Sequence, residues 1–291
     1  MTFTQPQPQT IPQPSPLHWA KTILETPDPK DKARLTLEAT APGAWDGHLP
    51  DRDSARQIAL TLPTRPARLD RPELRPPRDM PKRSTGPKGL IALLHALAHI
   101  ELTAIDLAWD ILARFPDQAL DLGPAFFSDW LAVARDEAIH FTLLTERLEA
   151  LDSAYGALPA HDGLWKTAET TSHDLVARLV AVPMVHEARG LDTTPGALDR
   201  LRQAKADPDV IAVLERIAAD EVSHVAAGVR WFIALADQSG LDPEALFEAK
   251  VLETRPGGPK PPFNVAARAE AGMPERWYHR AADSLEKSRA S

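Results

Sequence analysis

The uneven distribution of proline is the strongest constraint on what this chain can fold into. Sixteen of the 28 prolines lie before Lys88, and only seven fall between Lys88 and Arg255. A proline inside a helix removes a backbone hydrogen bond and clashes with the preceding turn, so long helices belong in the proline-poor middle. That middle is rich in Ala and Leu and poor in Val and Ile, which favours helix over strand. The sequence therefore predicts an all-α fold.

Start and stop signals divide the middle of the chain into four long helices. Pro124 and Asp207-Pro208 are typical of a first helical turn, and Gly190 is typical of a C-terminal cap. The predicted long helices are Lys88–Arg114, Ala125–Leu151, Gly163–Arg189 and 208–238, with short helices after Thr194-Pro195 and Asp242-Pro243. Four helices of this length joined by loops of roughly ten residues predict an antiparallel four-helix bundle over residues 88–240.

The flanking segments are predicted to be accessory to this bundle. Residues 1–16 are polar and proline-spaced, which favours disorder. Residues 17–87 should hold short helices followed by a proline-broken arm, and residues 241–291 should form C-terminal helices that pack on the bundle. The arm, residues 64–88, carries eight Lys or Arg against three acidic residues. Two interpretations remain open: a strap held by ion pairs, which we favour, or a contact for an anionic substrate such as nucleic acid.

Composition excludes several classes of protein. The absence of cysteine excludes disulfides, thiolate-based zinc sites, iron–sulfur clusters and cysteine nucleophiles. No apolar run approaches the roughly 18–20 residues that a membrane helix needs, and no signal peptide is recognisable, so we expect no membrane partner and a cytoplasmic location. The net charge of −8 argues against sequence-independent nucleic-acid binding by the whole molecule.

Four glutamates depart from the rule that charged side chains occupy the wet face of a helix. Each lies within a stripe of apolar residues at helical spacing, one in each predicted long helix. They are Glu101, Glu137, Glu187 and Glu221. An unpaired buried carboxylate costs several kcal/mol, so this repeated placement demands a compensating charge.

Two of these glutamates begin a Glu-x-x-His motif. His140 follows Glu137 and His224 follows Glu221, each by three residues, which places both members on one face of a helix. The intervals from Glu101 to Glu137 and from Glu187 to Glu221 are 36 and 34 residues, so the two halves of the pattern match.

Charge balance then predicts a pair of metal ions. Four buried carboxylates carry −4, two divalent cations supply +4, and two neutral imidazoles complete the ligand set. Carboxylate with imidazole favours iron, with manganese as the alternative. The same pattern characterises ferritin-like carboxylate proteins that hold two iron or manganese ions. The remaining alternative is a relic of a metal site, in which the polar residues persist in the core but no metal binds.

Several further residues are predicted to support the metal ligands. Asp136 and Asp220 each precede a ligand glutamate, and we expect each to orient the histidine of the other Glu-x-x-His helix. The alternative is a surface aspartate paired with a neighbour such as Arg135.

Three other residues are assigned supporting roles rather than ligation. His99 lies about 200° around the helix from Glu101, so we expect it to support or pack rather than bind metal. His186 is expected to be buried and hydrogen-bonded, and Arg189 to balance a carboxylate near the site.

Together these motifs resemble a known family. The runs that carry the likeness are His95-Ala-Leu-Ala-His-Ile-Glu101, Asp136-Glu-Ala-Ile-His140, His186–Asp192 with Thr194-Pro195, Asp220–Val225, Arg71–Arg78 and Lys260–Asn264. They resemble the ferritin-like family of unknown function that is numbered 455, over most of the chain from about Leu17 to Tyr278. The resemblance implies a ferritin-like four-helix fold with a centre of two metal ions. The pattern is more distantly similar, in fold and ligands only, to bacterial di-iron hydroxylases that act on tRNA bases.

These observations predict a di-iron oxidoreductase that activates dioxygen to oxidise or hydroxylate an unknown substrate. Dioxygen and that substrate are the expected partners, and a reductase is a candidate electron donor. Two alternatives remain open. The protein could handle metal without an organic substrate, or the bundle could be a scaffold for RNA binding through the basic arm.

Overall fold

The protein folds as an all-α structure. A computed structural model describes residues 15–254 and 257–290, and within this part of the chain the backbone forms helices and turns, with a single isolated β-bridge. The predicted disorder of residues 1–16 falls almost wholly outside the described residues, except that Pro16 already opens a helix. The helices are α1 (Pro16–Glu25), α2 (Pro29–Ala39), α3 (Arg52–Thr61), α4 (Pro87–Arg114), α5 (Pro116–Leu122), α6 (Pro124–Ala150), α7 (Gly163–Thr170), α8 (Leu175–Leu179), α9 (Ala188–Gln203), α10 (Pro208–Gln238), α11 (Pro243–Thr254), α12 (Val265–Glu270) and α13 (Glu275–Ala290).

The predicted helix starts at prolines are confirmed for the longest helices. Pro87, Pro124 and Pro208 each occupy the first position of a long helix, where the missing N–H has no partner to lose. Asp207 strengthens the start of α10, because its side chain accepts a hydrogen bond from the Asp209 N–H at 2.9 Å.

The helix predicted over Gly163–Arg189 is wrong in its boundaries. The chain forms α7, turns at residues 171–174, and then continues through α8, a π-helical segment at Val180–Glu187 and α9. The turn is fixed by Asp174, whose side chain caps α8 by accepting from the Ala177 N–H at 3.1 Å. Pro183 lies inside the π-helical segment, where the i→i−4 ladder gives way to wider turns.

The predicted helix end at Gly190, with a new helix after Thr194-Pro195, is also wrong, because α9 runs through all three residues. Pro195 has no N–H to donate to the carbonyl of Leu191, four residues earlier. The side chain of Asn264 donates to that carbonyl at 3.2 Å instead, so the helix continues without an orphaned oxygen.

Helices α4, α6, α10 and the π-helical segment surround the core. α4 and α6 form the most extensive helix pair, α6 also packs on α10, and α10 packs on the π-helical segment. α4 has 28 residues and is about 42 Å long, and the nine residues 115–123, most of them coiled into α5, are too few to return to its start. α4 and α6 therefore run antiparallel.

Buried ion pairs fasten the N-terminal part of the chain to α4. Lys32 of α2 and Arg68 of the arm both pair with Asp106, which is fully buried. One turn further along α4, Asp110 pairs with Arg114 and with the buried Arg178 of α8. Since each buried charge has a partner, this face of α4 avoids the cost of an isolated ion.

The arm is extended, as predicted, apart from a single 3₁₀ turn at Pro77–Asp79. It makes a parallel bridge between Leu74 and Ala160, with hydrogen bonds of 2.8 and 3.0 Å. Arg65 pairs with Asp162 and Glu169 on the neighbouring segment. These contacts fit the strap interpretation for the first part of the arm.

α4 is long and apolar enough to cross a membrane by length and composition alone, so the expectation that no apolar run approaches that length is wrong. Most of that stretch is buried inside the protein, as in the core helix of a soluble protein. It also carries Glu101, Asp106 and Asp110, all buried. Its apolar character is explained by its central position in the helical core.

Candidate metal centre

Three long helices bring acidic groups and imidazoles into one buried region. α4 carries Glu101, α6 carries Glu137 and His140, and α10 carries Glu221 and His224. All five side chains are buried. Because each glutamate and its histidine are three residues apart, both members of each motif face the interior between the helices.

Four of these residues form a group compact enough to hold a metal ion. One ligand atom from each member lies within 4.8 Å of the corresponding atoms of the others. The members are Glu101, Glu137, His140 and Glu221. His224 adjoins this group, since its Nδ1 lies 3.8 Å from Glu221 Oε2.

Glu137 lies between the two histidines. Its Oε1 is 3.0 Å from His224 Nδ1, and its Oε2 is 3.6 Å from His140 Nδ1. The two imidazole rings are 5.8 Å apart between centroids. Glu101 approaches the same His140 nitrogen at 3.6 Å. One carboxylate therefore faces both halves of the predicted ligand set.

Each histidine contacts, through the ring nitrogen that faces away from the glutamates, an aspartate of the other Glu-x-x-His helix. His140 Nε2 lies 3.0 Å from Asp220 Oδ2, and His224 Nε2 lies 3.5 Å from Asp136 Oδ2. This is the crossed arrangement that the motifs predict, and the alternative surface pairing also occurs at Asp220, whose Oδ2 accepts from Arg216 Nε at 3.4 Å. Since Nε2 faces the aspartate, Nδ1 is the nitrogen that each ring presents to the glutamates, a detail that the sequence could not specify.

Several polar atoms in this region are buried without a hydrogen-bond partner. They are both carboxylate oxygens of Glu137, one oxygen each of Glu187 and Glu221, and the Nδ1 atoms of His140 and His224. Buried polar groups in folded proteins are normally satisfied, and a site for an ion is one of the recognised reasons for exceptions. Oxygen and nitrogen donors of this kind suit iron, manganese or zinc. The residues present therefore fit a metal site.

The metal-free carboxyls are perturbed by burial and by one another. Burial raises the pKa of Glu101 well above its usual value, and the neighbouring Glu137 raises it further. Burial and the charges of Glu221 and Glu137 act in the same way on the pKa of Glu187. Burial followed by the charge of Glu137 raises the pKa of Glu221 to about 7.

The two histidines shift in the opposite direction from most buried imidazoles. Burial alone would lower the pKa of His140, but the Glu101 and Glu137 carboxyls beside it outweigh that effect and raise it to about 11. Burial is likewise outweighed at His224, where Glu137 and Asp136 raise the pKa well above its usual value. Without metal, the cluster must hold protons to neutralise its carboxylates.

Glu187 is supplied by the π-helical segment and lies outside the compact group of four. Its side chain is half-buried, but its Oε2 is buried without a partner. The shift of its pKa is caused partly by Glu221 and Glu137, which places it on their side of the cluster.

The close approach of the π-helical segment to α10 depends on Gly228. A Cβ atom added there would lie 2.6 Å from the Cβ and Cγ of Pro183. Only glycine allows the two backbones to come so close, and Glu187 follows Pro183 by one helical turn. Sequence reasoning did not assign these two residues a role, although a proline inside a predicted long helix was an available signal.

The remaining predicted supporting residues lie away from the cluster. His99 bonds Tyr155 through Nδ1 at 2.8 Å, and His186 bonds Thr167 through Nε2 at 3.0 Å. Arg189 donates to the backbone carbonyls of residues 260 and 262, at 2.7 and 3.2 Å, and it also pairs with Asp192 at 3.7 Å, a carboxylate that is not among the predicted ligands. Among the described residues, none of these three side chains makes a hydrogen bond or ion pair with the predicted ligands, and their contacts instead join elements outside the site.

The fold and the cluster define an all-α protein with a buried group of glutamates and histidine that could hold a metal ion. Residues 25–279 match the family described as "Protein of unknown function (DUF455)", and the chain belongs to that family. It is 37% identical over 276 residues to an uncharacterized protein of Haemophilus influenzae, and the alignment covers 91% of this chain and 94% of that relative. No solved structure matches the chain. The predicted family is therefore confirmed.

Proposed function

We propose that this protein binds two divalent metal ions, with iron favoured and manganese as the alternative, in a ferritin-like bundle of α4, α6, the π-helical segment and α10. One observation carries the proposal: Glu137 faces the unpartnered Nδ1 atoms of two histidines from different helices. A single carboxylate between two imidazoles is a suitable bridging ligand for a pair of ions.

The ligand set divides into two halves around Glu137. Glu101 and His140 lie on one side. Glu221 approaches His224 on the other side but stays within 4.8 Å of the first pair, and Glu187 lies near this second half. With all four carboxyls ionised and both imidazoles neutral, two divalent ions bring the net charge of the site to zero. Metal binding would release the protons that the cluster otherwise retains.

The proposed activity is that of an oxidoreductase which uses dioxygen to oxidise or hydroxylate an organic substrate. When bound, two ferrous ions would supply the electrons for dioxygen reduction, and a reductase would restore them. Asp136 and Asp220 fix the orientation of the histidine rings and keep Nδ1 free for the metal. Buried apolar neighbours such as Ala134 and Phe141 keep bulk water away from the site.

The likeness to di-iron hydroxylases and the cellular location are also proposals. The two Glu-x-x-His motifs support the likeness to di-iron hydroxylases in ligand pattern, but substrate class does not follow from a ligand pattern. Burial of most of the apolar α4 inside the protein supports a soluble, cytoplasmic protein.

Oxygen consumption after anaerobic loading with ferrous ion tests this function. The loaded wild-type protein should consume dioxygen and develop an optical spectrum of oxidised iron. A double variant, Glu137→Ala with Glu221→Ala, should do neither. Glu146→Ala is the matched control, because Glu146 is an exposed glutamate on the same helix as Glu137. Oxygen consumption that survives the double substitution would exclude the proposed role of the cluster.

A further inference from the structure

A second chemically distinctive feature lies on the opposite face of α4 from the glutamate cluster. Successive residues of an α-helix are about 100° apart. His99, two residues before Glu101, and Thr103, two residues after it, therefore each lie about 200° around α4 from Glu101, which is about 160° by the shorter way. They line a cleft between α4, the arm and residues 158–164. The cleft is therefore separate from the candidate metal centre, and we call it the α4 cleft.

Most of the α4 cleft is apolar. Its walls are made chiefly by aliphatic side chains from all three segments, and the larger of them are Met80, Ile100, Leu158 and Leu164. Ile100 is unusual among the large apolar residues of α4 because 38% of its surface is exposed. An apolar wall open to solvent suits the hydrocarbon part of a small molecule.

Two polar side chains of the α4 cleft, those of His95 and His161, are neutral hydrogen-bond donors. His95 Nε2 accepts from the backbone N–H of Gly156 at 2.9 Å, so the proton of the neutral ring is on Nδ1. His161 Nδ1 accepts from the Gly163 N–H at 3.3 Å, which leaves Nε2–H free to donate. Burial lowers the pKa of His95 to about 4, and burial followed by the charge of Arg83 lowers the pKa of His161. Both rings are thus neutral donors at neutral pH.

Arg83 is the charged side chain of the α4 cleft, and no carboxylate lines it. In the part of the chain that the structure describes, Arg83 makes no ion pair with an acidic residue. Arg83 and His161 line the cleft together. The charge of Asp162, which adjoins His161, acts on that imidazole in the opposite direction from Arg83, but this carboxylate is already paired with Arg65. The electrostatic preference of the cleft is therefore for an anion.

We infer that the α4 cleft binds a small amphiphilic anion, an apolar chain or ring that carries one carboxylate or phosphate group. The apolar body would lie along Ile100, Leu158 and Leu164. The anionic group would accept hydrogen bonds from the Arg83 guanidinium and the His161 imidazole. This site requires no metal and is independent of the oxidation proposed above.

Isothermal titration of the purified full-length protein with three probes of equal chain length tests this inference. Octanoate or octyl phosphate should bind saturably, and whichever binds more tightly identifies the preferred head group. Octylamine should bind at least about tenfold more weakly, because the cleft presents its cation with the positive charge of Arg83 and with no carboxylate. The inference would be overturned if octylamine bound saturably and as tightly as both anions. It would also be overturned if neither anion bound.

Two matched substitutions locate the site. Arg83→Gln should weaken binding of the preferred anion by about tenfold, since it removes a charge-assisted hydrogen bond. Lys82→Gln removes the adjacent cation, which does not line the cleft, and should leave affinity within about twofold. Both residues are exposed, so neither change should affect folding or metal content. Equal effects of the two substitutions would contradict the assignment of the anion to Arg83.

Discussion

The Nε2 atom of His140 on α6 lies 3.0 Å from Oδ2 of Asp220 on α10. This contact turns the other ring nitrogen, Nδ1, towards Glu101 and Glu137. Asp220 thereby connects α10 to the side chain of His140 on α6. This contact fixes the orientation of a candidate metal ligand.

Removal of this support should weaken metal binding. Asp220→Asn retains the shape of the side chain but not its charge, and we expect affinity for ferrous or manganous ion to fall by about 10- to 100-fold. Metal competition titrations would measure the change. Asp209→Asn is the control on the same helix, because Asp209 pairs with Arg147 near the surface. An affinity unchanged by Asp220→Asn would show that the contact does not support a metal ligand.

The packing of the π-helical segment against α10 predicts opposite effects for two glycine substitutions. Gly228→Ala forces a Cβ against Pro183 and should lower the free energy of unfolding by about 1–3 kcal/mol. Gly190→Ala lies within α9, where an added Cβ meets nothing within 4 Å, and should stabilise the protein by up to about 1 kcal/mol. Urea unfolding would measure both changes. Equal stability of the two variants would contradict the close approach described here.

The buried ion pair between Arg268 and Asp192 should hold the C-terminal helices to α9. Arg268 donates to both carboxylate oxygens of Asp192, at 2.9 and 2.7 Å, and lies 4.6 Å above the ring of Tyr278. Arg268→Met leaves a buried charge and should cost about 3–5 kcal/mol of unfolding free energy. The side chain of Arg280 is exposed where it pairs with the half-buried Glu248 and Glu244, so Arg280→Met should cost about 1 kcal/mol or less.

A double-mutant cycle separates the pair from the packing of the arginine. Adding Asp192→Asn to Arg268→Met should recover part of the lost stability, because the unpaired carboxylate is then removed. Additive losses in the double variant would show that the two side chains do not interact.

The metal-free protein should lose stability as pH rises from 7 to 8. The pKa of His140 is raised to about 11 and that of His224 is also raised, so the folded state retains protons that the unfolded chain has already lost. Stability falls with pH wherever the folded state binds more protons, by about 1.4 kcal/mol per pH unit for each proton. In the folded protein, histidines with lowered pKa values, such as His95 at about 4, are already deprotonated below pH 7.

Urea unfolding of the metal-free protein at pH 7 and pH 8 measures this dependence. The window ends at pH 8 because burial lowers the pKa of Lys32 to about 8, and its titration opposes the trend at higher pH. The metal-loaded protein should show a smaller dependence, since its ligands carry no protons. A metal-free protein that is equally stable at both pH values would contradict the charge state assigned to the cluster.

Much of the helical core could be predicted because its signals are local. Pro87, Pro124 and Pro208 mark helix starts, and the apolar stripes around Glu101 and Glu137 predict which face is buried. The region from Gly163 to Gln203 could not be predicted in the same way. There α9 passes Pro195 because Asn264, 69 residues away in sequence, satisfies the carbonyl that the proline leaves free.

The same distinction applies to the candidate site. The Glu-x-x-His spacing predicts which side chains converge, because residues three apart share a helix face. The roles of His99, His186 and Arg189 were less predictable, since their partners lie on loops or distant segments. The ring nitrogen that faces the glutamates depends on a contact between helices, which no local pattern specifies.

Anomalous diffraction at the iron edge, from crystals of the iron-loaded protein, would locate the bound metal. Two peaks are expected between α4, α6, the π-helical segment and α10, on either side of Glu137 and close enough to share its carboxylate. A single peak elsewhere in the molecule, or no peak within the cluster from fully loaded protein, would contradict the proposed pair of metal ions.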